Sequence, residues 1–261
     1  MLVEQIWTGN ALRNFNYLIA CEQTGEALVV DPYNAEQCLE RAAQKGWTVT
    51  QILNTHEHPD HIAGNRGVRQ ATGAPTLAHF KAKIRDVDHG LRAGDAVRVG
   101  KTVELECLDT PGHTMTHLCL RSHSDEPALF CGDTLFNAGA GNCYNGGNPE
   151  SLYTSFAEQI AELPNTIRVF PGHELIANNL RFTLDREPDN DRARALLEEV
   201  KDQDPNQALV TTMALEREVN TFLRLESPTL IARLREAHPE LPTEPDSKTV
   251  FITLRELRDR W

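Results

Sequence analysis

Short apolar stretches divided by polar turns fill the first two thirds of the chain. Residues 2–7, 15–20 and 27–31 alternate or run apolar between Gly9-Asn10, Thr24-Gly25 and Asp31-Pro32, which predicts three strands. Asn34 as a cap and Lys45-Gly46 as a stop predict a helix over about 35–45. A strand over 48–53 follows, then a helix over about 60–71. Further strands are expected around 75–78 and 97–99 and over 102–108, 116–121 and 127–131, with Gly, Asp and Pro between them. A helix over about 149–162 and a strand over 166–170 close this part.

From residue 174 the pattern changes. Helices are expected over 174–186, 190–203, 211–219, 228–237 and 247–260, separated by proline-bearing turns, with no further strand. The reading is an α/β domain over 1–173 followed by an all-helical domain over 174–261, without internal repeat or low-complexity linker.

Composition adds limits. A chain of 261 residues holds one large domain or two ordinary ones, and 40% apolar with 25% charged residues is globular. Met1 to Trp7 lacks a basic leader region, and no apolar run approaches the ~20 residues of a membrane span. The expectation is a soluble cytoplasmic protein. Six scattered cysteines without a C-x-x-C pair are expected as buried thiols. The net charge of −12 argues against a nucleic-acid backbone as partner, but leaves room for a small anionic substrate held by a local cluster of arginines.

The densest chemistry lies in Asn54-Thr55-His56-Glu57-His58-Pro59-Asp60-His61. In an extended segment His56 and His58 point to one side. Pro59 keeps the segment from merging into a regular helix, and the neighbouring Asp60 and His61 diverge. One loop thus offers two ligands to one ion and two to a neighbour, and His with carboxylate is the ligand set of hydrolytic metal sites. Pro-Gly-His occurs twice, at Pro111-Gly112-His113 and Pro171-Gly172-His173, each after an apolar strand. Cys131-Gly132-Asp133-Thr134 ends another. Strand ends are where α/β sheets gather their chemistry.

In this order, T-H-x-H-x-D-H, P-G-H-T, G-D-T-L-F and P-G-H-E resemble the signature of the metallo-β-lactamase fold. The segments Ala138-Gly139-x-Gly141-x-x-Tyr144, His173-Glu174-x-x-x-Asn178-Asn179-Leu180-x-Phe182, Asn220-x-Phe222-Leu223-Arg224 and Arg255-x-x-Arg258 are similar to the glyoxalase II, or hydroxyacylglutathione hydrolase, branch. The resemblance implies an αββα sandwich with a binuclear site at its edge. It implies that His56, His58 and His113 hold one ion, that Asp60, His61 and His173 hold the other, and that Asp133 bridges. Zinc is the leading expectation, with iron or manganese accommodated by the same ligands.

By the same resemblance the reaction is hydrolysis of S-(2-hydroxyacyl)glutathione, with Asp60 and Asp133 as the candidate catalytic carboxylates. Tyr144, Arg255 and Arg258 would grip the glutathione. Asn142 stands where Lys or Arg is common, and Leu175 where tyrosine is usual, so the thiol carrier is the point of departure from the pattern. The implied partner is this small thioester alone, with no nucleic acid, no membrane and a single copy of the chain. A mononuclear iron persulfide dioxygenase shares the fold but has a shorter helical tail. An RNA-processing member would need a basic exosite, and a non-enzymatic relative would have lost ligands.

Overall fold

The computed structural model describes residues 1–261. Two six-stranded sheets stack face to face. In the first, β1 (Leu2–Trp7), β2 (Phe15–Ala20) and β3 (Glu26–Val30) run antiparallel, and β4 (Thr48–Leu53), β5 (Thr76–His79) and β6 (His89–Leu91) continue parallel to β3. In the second, β7 (Ala96–Val99), β8 (Val103–Asp109), β9 (Leu118–Ser122) and β10 (Ala128–Gly132) are antiparallel. A hairpin of β11 (Leu135–Phe136) and β12 (Gly139–Ala140) follows. Then β13 (Arg168–Pro171) lies parallel to β10, and β14 (Thr211–Thr212) forms the sheet's edge.

The period of two explains the layers. Successive strand residues face opposite ways, so Tyr17, Ile19, Leu28 and Val30 meet Leu118, Leu120, Ala128 and Phe130 between the sheets. The intervening Leu18 and Val29 face outward onto Cys38 and Ala42 of α1 (Ala35–Gln44) and Val68 of α3 (Asn65–Thr72). On the other side Cys119, Leu129 and Cys131 face outward onto α4 (Pro149–Ser155), which widens into a π-turn over Phe156–Ile160. The result is the αββα sandwich.

The C-terminal helices are α5 (Ile176–Arg186), α6 (Asp191–Val200), α7 (Met213–Val219), α8 (Pro228–Ala237) and α9 (Ser247–Arg260). Met213, Phe222, Leu230, Leu234, Val250, Phe251 and Leu254 join Leu129, Cys131 and Leu152 in one core of twenty buried residues. Fully burying an apolar side chain of this size contributes roughly 1.5–3 kcal/mol, so these helices stabilise the second sheet as well as themselves.

Four expectations need correction. The single helix over 60–71 is two, α2 (Pro59–Ile62) and α3, because the Gly64 amide leaves the helical ladder for the Pro32 carbonyl at 2.7 Å. β14 is a strand beyond residue 174, since Thr211 and Thr212 find Val169 and Arg168 across the sheet edge. The helix over 149–162 is regular only to Ser155. β6 and the hairpin of β11 and β12 lie where no strand was expected. All six cysteines are buried and unpaired. No helix is long and apolar enough to cross a membrane.

Candidate metal centre

β4 ends at Leu53 and delivers the histidine loop to the edge of the sandwich. Asn54 folds the loop back by donating to the His61 carbonyl at 2.8 Å, and His58 then caps α2 with Pro59 at its first position. The ends of β8, β10 and β13 lead into His113, Asp133 and His173. Gly172 is required there by close approach, since a Cβ would collide with Asp133 Oδ1.

The side chains fall into two groups. His56 Nε2 and His113 Nε2 lie 3.1 and 3.0 Å from His58 Nδ1. Asp60 Oδ2 lies 3.3 Å from His61 Nε2 and 3.5 Å from His173 Nε2, with the two imidazole nitrogens 3.3 Å apart. Asp133 stands between the groups. Its Oδ2 is 3.4 Å from His113 Nε2 and 3.1 Å from His173 Nε2, while Oδ1 is 3.5 Å from His61 Nε2 and has no hydrogen-bond partner although buried.

The partners on the far side of each ring fix its tautomer. His113 Nδ1 faces the Asn142 carbonyl at 2.7 Å, His58 Nε2 the Asn145 carbonyl at 3.0 Å, and His173 Nδ1 the Leu12 carbonyl at 2.7 Å. His61 Nδ1 faces Asp31 Oδ2 at 3.0 Å. His56 Nδ1 faces Thr55 Oγ1 at 3.0 Å, and that hydroxyl already donates to Asp31 Oδ2 at 2.6 Å. Carbonyl and carboxylate oxygens only accept, so each of these nitrogens carries a proton, and in the neutral ring the other nitrogen is the bare one. In the neutral rings five lone pairs and an unpartnered carboxylate oxygen converge, and short of a cation only protons on His61 and His173, facing Asp60 and Asp133, relieve them. A divalent cation satisfies them, and orientation of ligating imidazoles by such outer partners is the usual support of a metal site.

The chain's own field tells the same story. Burial is the largest single influence and opposes charge on His61 and His173, but Asp133, joined at His61 by Asp31 and Asp60, outweighs it and both imidazoles sit above their ordinary value, His61 far above. Burial pushes His56 and His113 down, with neighbouring imidazoles adding to it against Asp133. Burial would raise Asp133, yet His173 and His61 hold it well below the carboxylate range. Asp60 is likewise held low against its burial, by His61 and Asn14.

Beside this centre lies a cavity of about 390 Å³ lined by Asn142, Tyr144, Leu175, Arg255 and Arg258 together with Phe136, Asp259 and Trp261. All five residues expected to grip substrate thus share one cavity. They differ in exposure. Tyr144 is 70% exposed at the rim, whereas Arg255 is 3% exposed. Arg255 is therefore no part of a solvated face. Its Nη1 donates to the Ala140 and Gly141 carbonyls at 2.7 and 3.0 Å and its Nη2 to Asp259 at 2.8 Å. Arg258 makes one long contact, to Asn179 Oδ1 at 3.3 Å, and lies over the rings of Phe182 and Trp261.

Several site residues escaped the sequence reading. Asp31 accepts from the Thr55 amide at 2.7 Å as well as from Thr55 Oγ1 and His61. Asn14 donates to Asp60 Oδ2 at 2.9 Å. His117 is fully buried, accepts from the Asp133 amide at 3.1 Å, and stacks on His56. The one available signal was Asp31-Pro32 at a strand's C-terminal end. Nothing separates His117 from an ordinary core histidine.

Residues 10–173 match the family model for the metallo-beta-lactamase superfamily, and residues 174–261 match that for the hydroxyacylglutathione hydrolase C-terminus. Hydroxyacylglutathione hydrolases of Polaromonas sp. and Nitrosococcus oceani are 64% and 63% identical over 263 residues, covering 100% of both chains in each case. Among solved structures, ETHE1 from Myxococcus xanthus superposes with a TM-score of 0.67 at 27% identity over 93% of each chain. TTHA1623 in a di-iron-bound form shares the fold at 22% identity and a TM-score of 0.60, over 84% of this chain and 99% of that one. By sequence over its whole length, the chain belongs to the metallo-β-lactamase superfamily and, within it, to the hydroxyacylglutathione hydrolases.

Proposed function

We propose that this chain is a thioesterase that hydrolyses S-(2-hydroxyacyl)glutathione, with S-D-lactoylglutathione as the reference substrate, to glutathione and a 2-hydroxy acid such as D-lactate. This is the second step of methylglyoxal detoxification. The observation that carries the reading is the convergence of five bare imidazole nitrogens on two sides of Asp133. His56, His58 and His113 would hold one divalent ion and Asp60, His61 and His173 a second, with Asp133 serving both and zinc the simplest choice. Ions held there would supply Lewis acidity toward a water and a thioester carbonyl.

The chain's own residues have separable tasks. Asp133 keeps the two ligand groups at a fixed separation through both of its oxygens. Asp60 is the carboxylate nearer solvent, with a side chain 17% exposed against 8% for Asp133, and, being held ionised by His61 and Asn14, it would orient an entering water by accepting its hydrogen bond. The departing thiol ionises near pH 8.5, so it leaves without a strong general acid. Tyr144, Asn142, Leu175, Arg255 and Arg258 line the carrier's cavity, and Arg258 is the cation free to meet a carboxylate.

The division at 173/174 separates the part that carries the metal ligands from the part that shapes the carrier cavity. One chain supplies every residue of the site, which suits a monomer. Six free thiols suit the reducing cytoplasm. The deciding experiment measures hydrolysis of S-D-lactoylglutathione beside esters of other thiols, with metal content on the same sample. Hydrolysis with two ions per chain is expected. One iron per chain with oxygen uptake on a thiol persulfide would replace this reading with a dioxygenase.

A further inference from the structure

The two rings that close the first ligand group, His113 and His58, take their orientation from the carbonyls of Asn142 and Asn145. Both carbonyls belong to the loop that leaves β12. The β11–β12 hairpin that leads into this loop has its polar backbone groups met from the C-terminal helices.

Asn179 of α5 donates to the Asn137 carbonyl at 3.0 Å. Glu216 of α7 accepts from the Ala138 amide at 2.8 Å, and Asn220 donates to the Gly139 carbonyl at 3.0 Å. The next two carbonyls, those of Ala140 and Gly141, both go to Nη1 of Arg255. Asn142 follows at once.

The loop has no slack at this point. A Cβ on Gly141 would collide with the Asp133 carbonyl oxygen and press on His113 Nδ1 at 3.1 Å. A small shift of the Ala140 and Gly141 carbonyls is therefore passed to the Asn142 carbonyl and to the His113 ring.

We infer that Arg255 is a positioning residue for the first ligand group: by clamping the Ala140 and Gly141 carbonyls it sets the neighbouring Asn142 carbonyl that aims His113. The inference rests on the assignment of His56, His58 and His113 as metal ligands. It gives Arg255 work distinct from that of Arg258. Arg255 spends Nη1 twice and Nη2 once inside the chain and leaves only its buried Nε without a partner, whereas Arg258 spends one donor on a long contact.

The test is a zinc titration of chelator-stripped protein against a competing chelator. Wild type, Arg255→Met, Arg255→Lys and Arg258→Ala are compared, with His113→Ala and His173→Ala as reference patterns for loss of each group. Wild type should bind two ions. Arg255→Met should bind one of them about 10–100-fold more weakly, the usual effect of losing an outer partner, and in the pattern of His113→Ala. Arg255→Lys, which keeps the charge and can still reach a carbonyl, should recover part of the loss. Arg258→Ala should keep both ions.

Wild-type affinities in both Arg255 variants, with only KM raised, would overturn the inference and return Arg255 to substrate binding. Fewer than two ions in wild type would overturn the metal assignment beneath it. If Arg255→Met does not fold, Arg255→Lys and the wild-type protein decide. In the wild-type protein, the Arg255 Nη protons should exchange with solvent more slowly when zinc is bound. Equal exchange in the stripped and loaded forms overturns the clamp.

Discussion

Asp31 Oδ2 accepts a hydrogen bond from His61 Nδ1 at 3.0 Å, which joins the end of β3 to the histidine loop. The same carboxylate takes the Thr55 amide and hydroxyl, and Asp31 holds a left-handed backbone (φ 51) to do so.

Replacing that carboxylate by an amide should change the chemistry more than the fold. In Asp31→Asn the oxygen can still accept from the Thr55 amide, which leaves the NH2 group facing His61 Nδ1. His61 must then carry its proton on Nε2, the nitrogen that faces Asp60 and Asp133. Zinc affinity should fall about 10–100-fold with a near-wild-type urea midpoint. Asp31→Ala should also destabilise the chain by at least about 3 kcal/mol, because hydrogen bonds to a charged group are lost and their partners stay buried. Asp31→Asn with unaltered zinc affinity would separate Asp31 from the ligand group.

Acidification should empty the two ligand groups in order. Protons compete with an ion for bare imidazole nitrogens. His61 and His173 lie above the ordinary imidazole value and His56 and His113 below it. As pH falls, protons reach the Asp60, His61 and His173 group first. Zinc counted after dialysis at stepped pH should show one ion leaving at higher pH than the other, and simultaneous loss would contradict the assignment.

Stability of stripped protein should carry the same signature. The raised histidines contribute stability that is full below their unfolded value of about 6.5 and is lost as pH rises through the higher folded values. Asp60 and Asp133, held low, contribute above about 3.9 and lose this as pH falls through their folded values. The melting temperature of stripped protein should therefore decline on the alkaline side of neutrality, and zinc should stabilise it more at pH 8 than at pH 6. A zinc effect independent of pH would sink this account.

The carrier cavity should respond to repair at Leu175. A tyrosine there can add one neutral hydrogen bond, worth about 0.5–1.5 kcal/mol, which is up to about tenfold in KM. Leu175→Tyr should lower KM for a glutathione ester, with little change for an ester of a small thiol and kcat steady. Arg258→Ala should raise KM for the glutathione ester by about ten- to a hundredfold, as loss of a charge-assisted contact implies. Another thiol's ester proving the far better wild-type substrate, with Leu175→Tyr harming the glutathione ester, would mean that the cavity suits a different carrier.

What could be read in advance divides along a physical line. β1, β2 and β4 were legible to the residue because alternation and flanking turns are local. The break between α2 and α3 was not, because Gly64 turns away to Pro32, thirty-two residues earlier. β14 is two residues that become a strand only by finding β13. Four of the candidate ligands were legible because H-x-H-x-D-H concentrates chemistry in one loop. Their orienting partners were not, since Asp31, Leu12, Asn142 and Asn145 act from other loops, three of them through backbone carbonyls that any residue type would supply. Arg255 and Arg258 read alike three residues apart, and only their burial and hydrogen bonds in the fold separate them.

The clamp between Arg255 and the loop after β12 also bears on the order in which the molecule is made. Roughly two hundred residues of chain separate His56 from the side chain that steadies its neighbour His113. Contacts of such long range form late, so the histidine loop leaves the ribosome well before its geometry exists. Ions met at that stage also bind the unfolded segment, which lessens what they add to the native state. Zinc supplied after refolding should therefore give more active protein than zinc present throughout, and maturation of the centre becomes the closing event of folding rather than its nucleus.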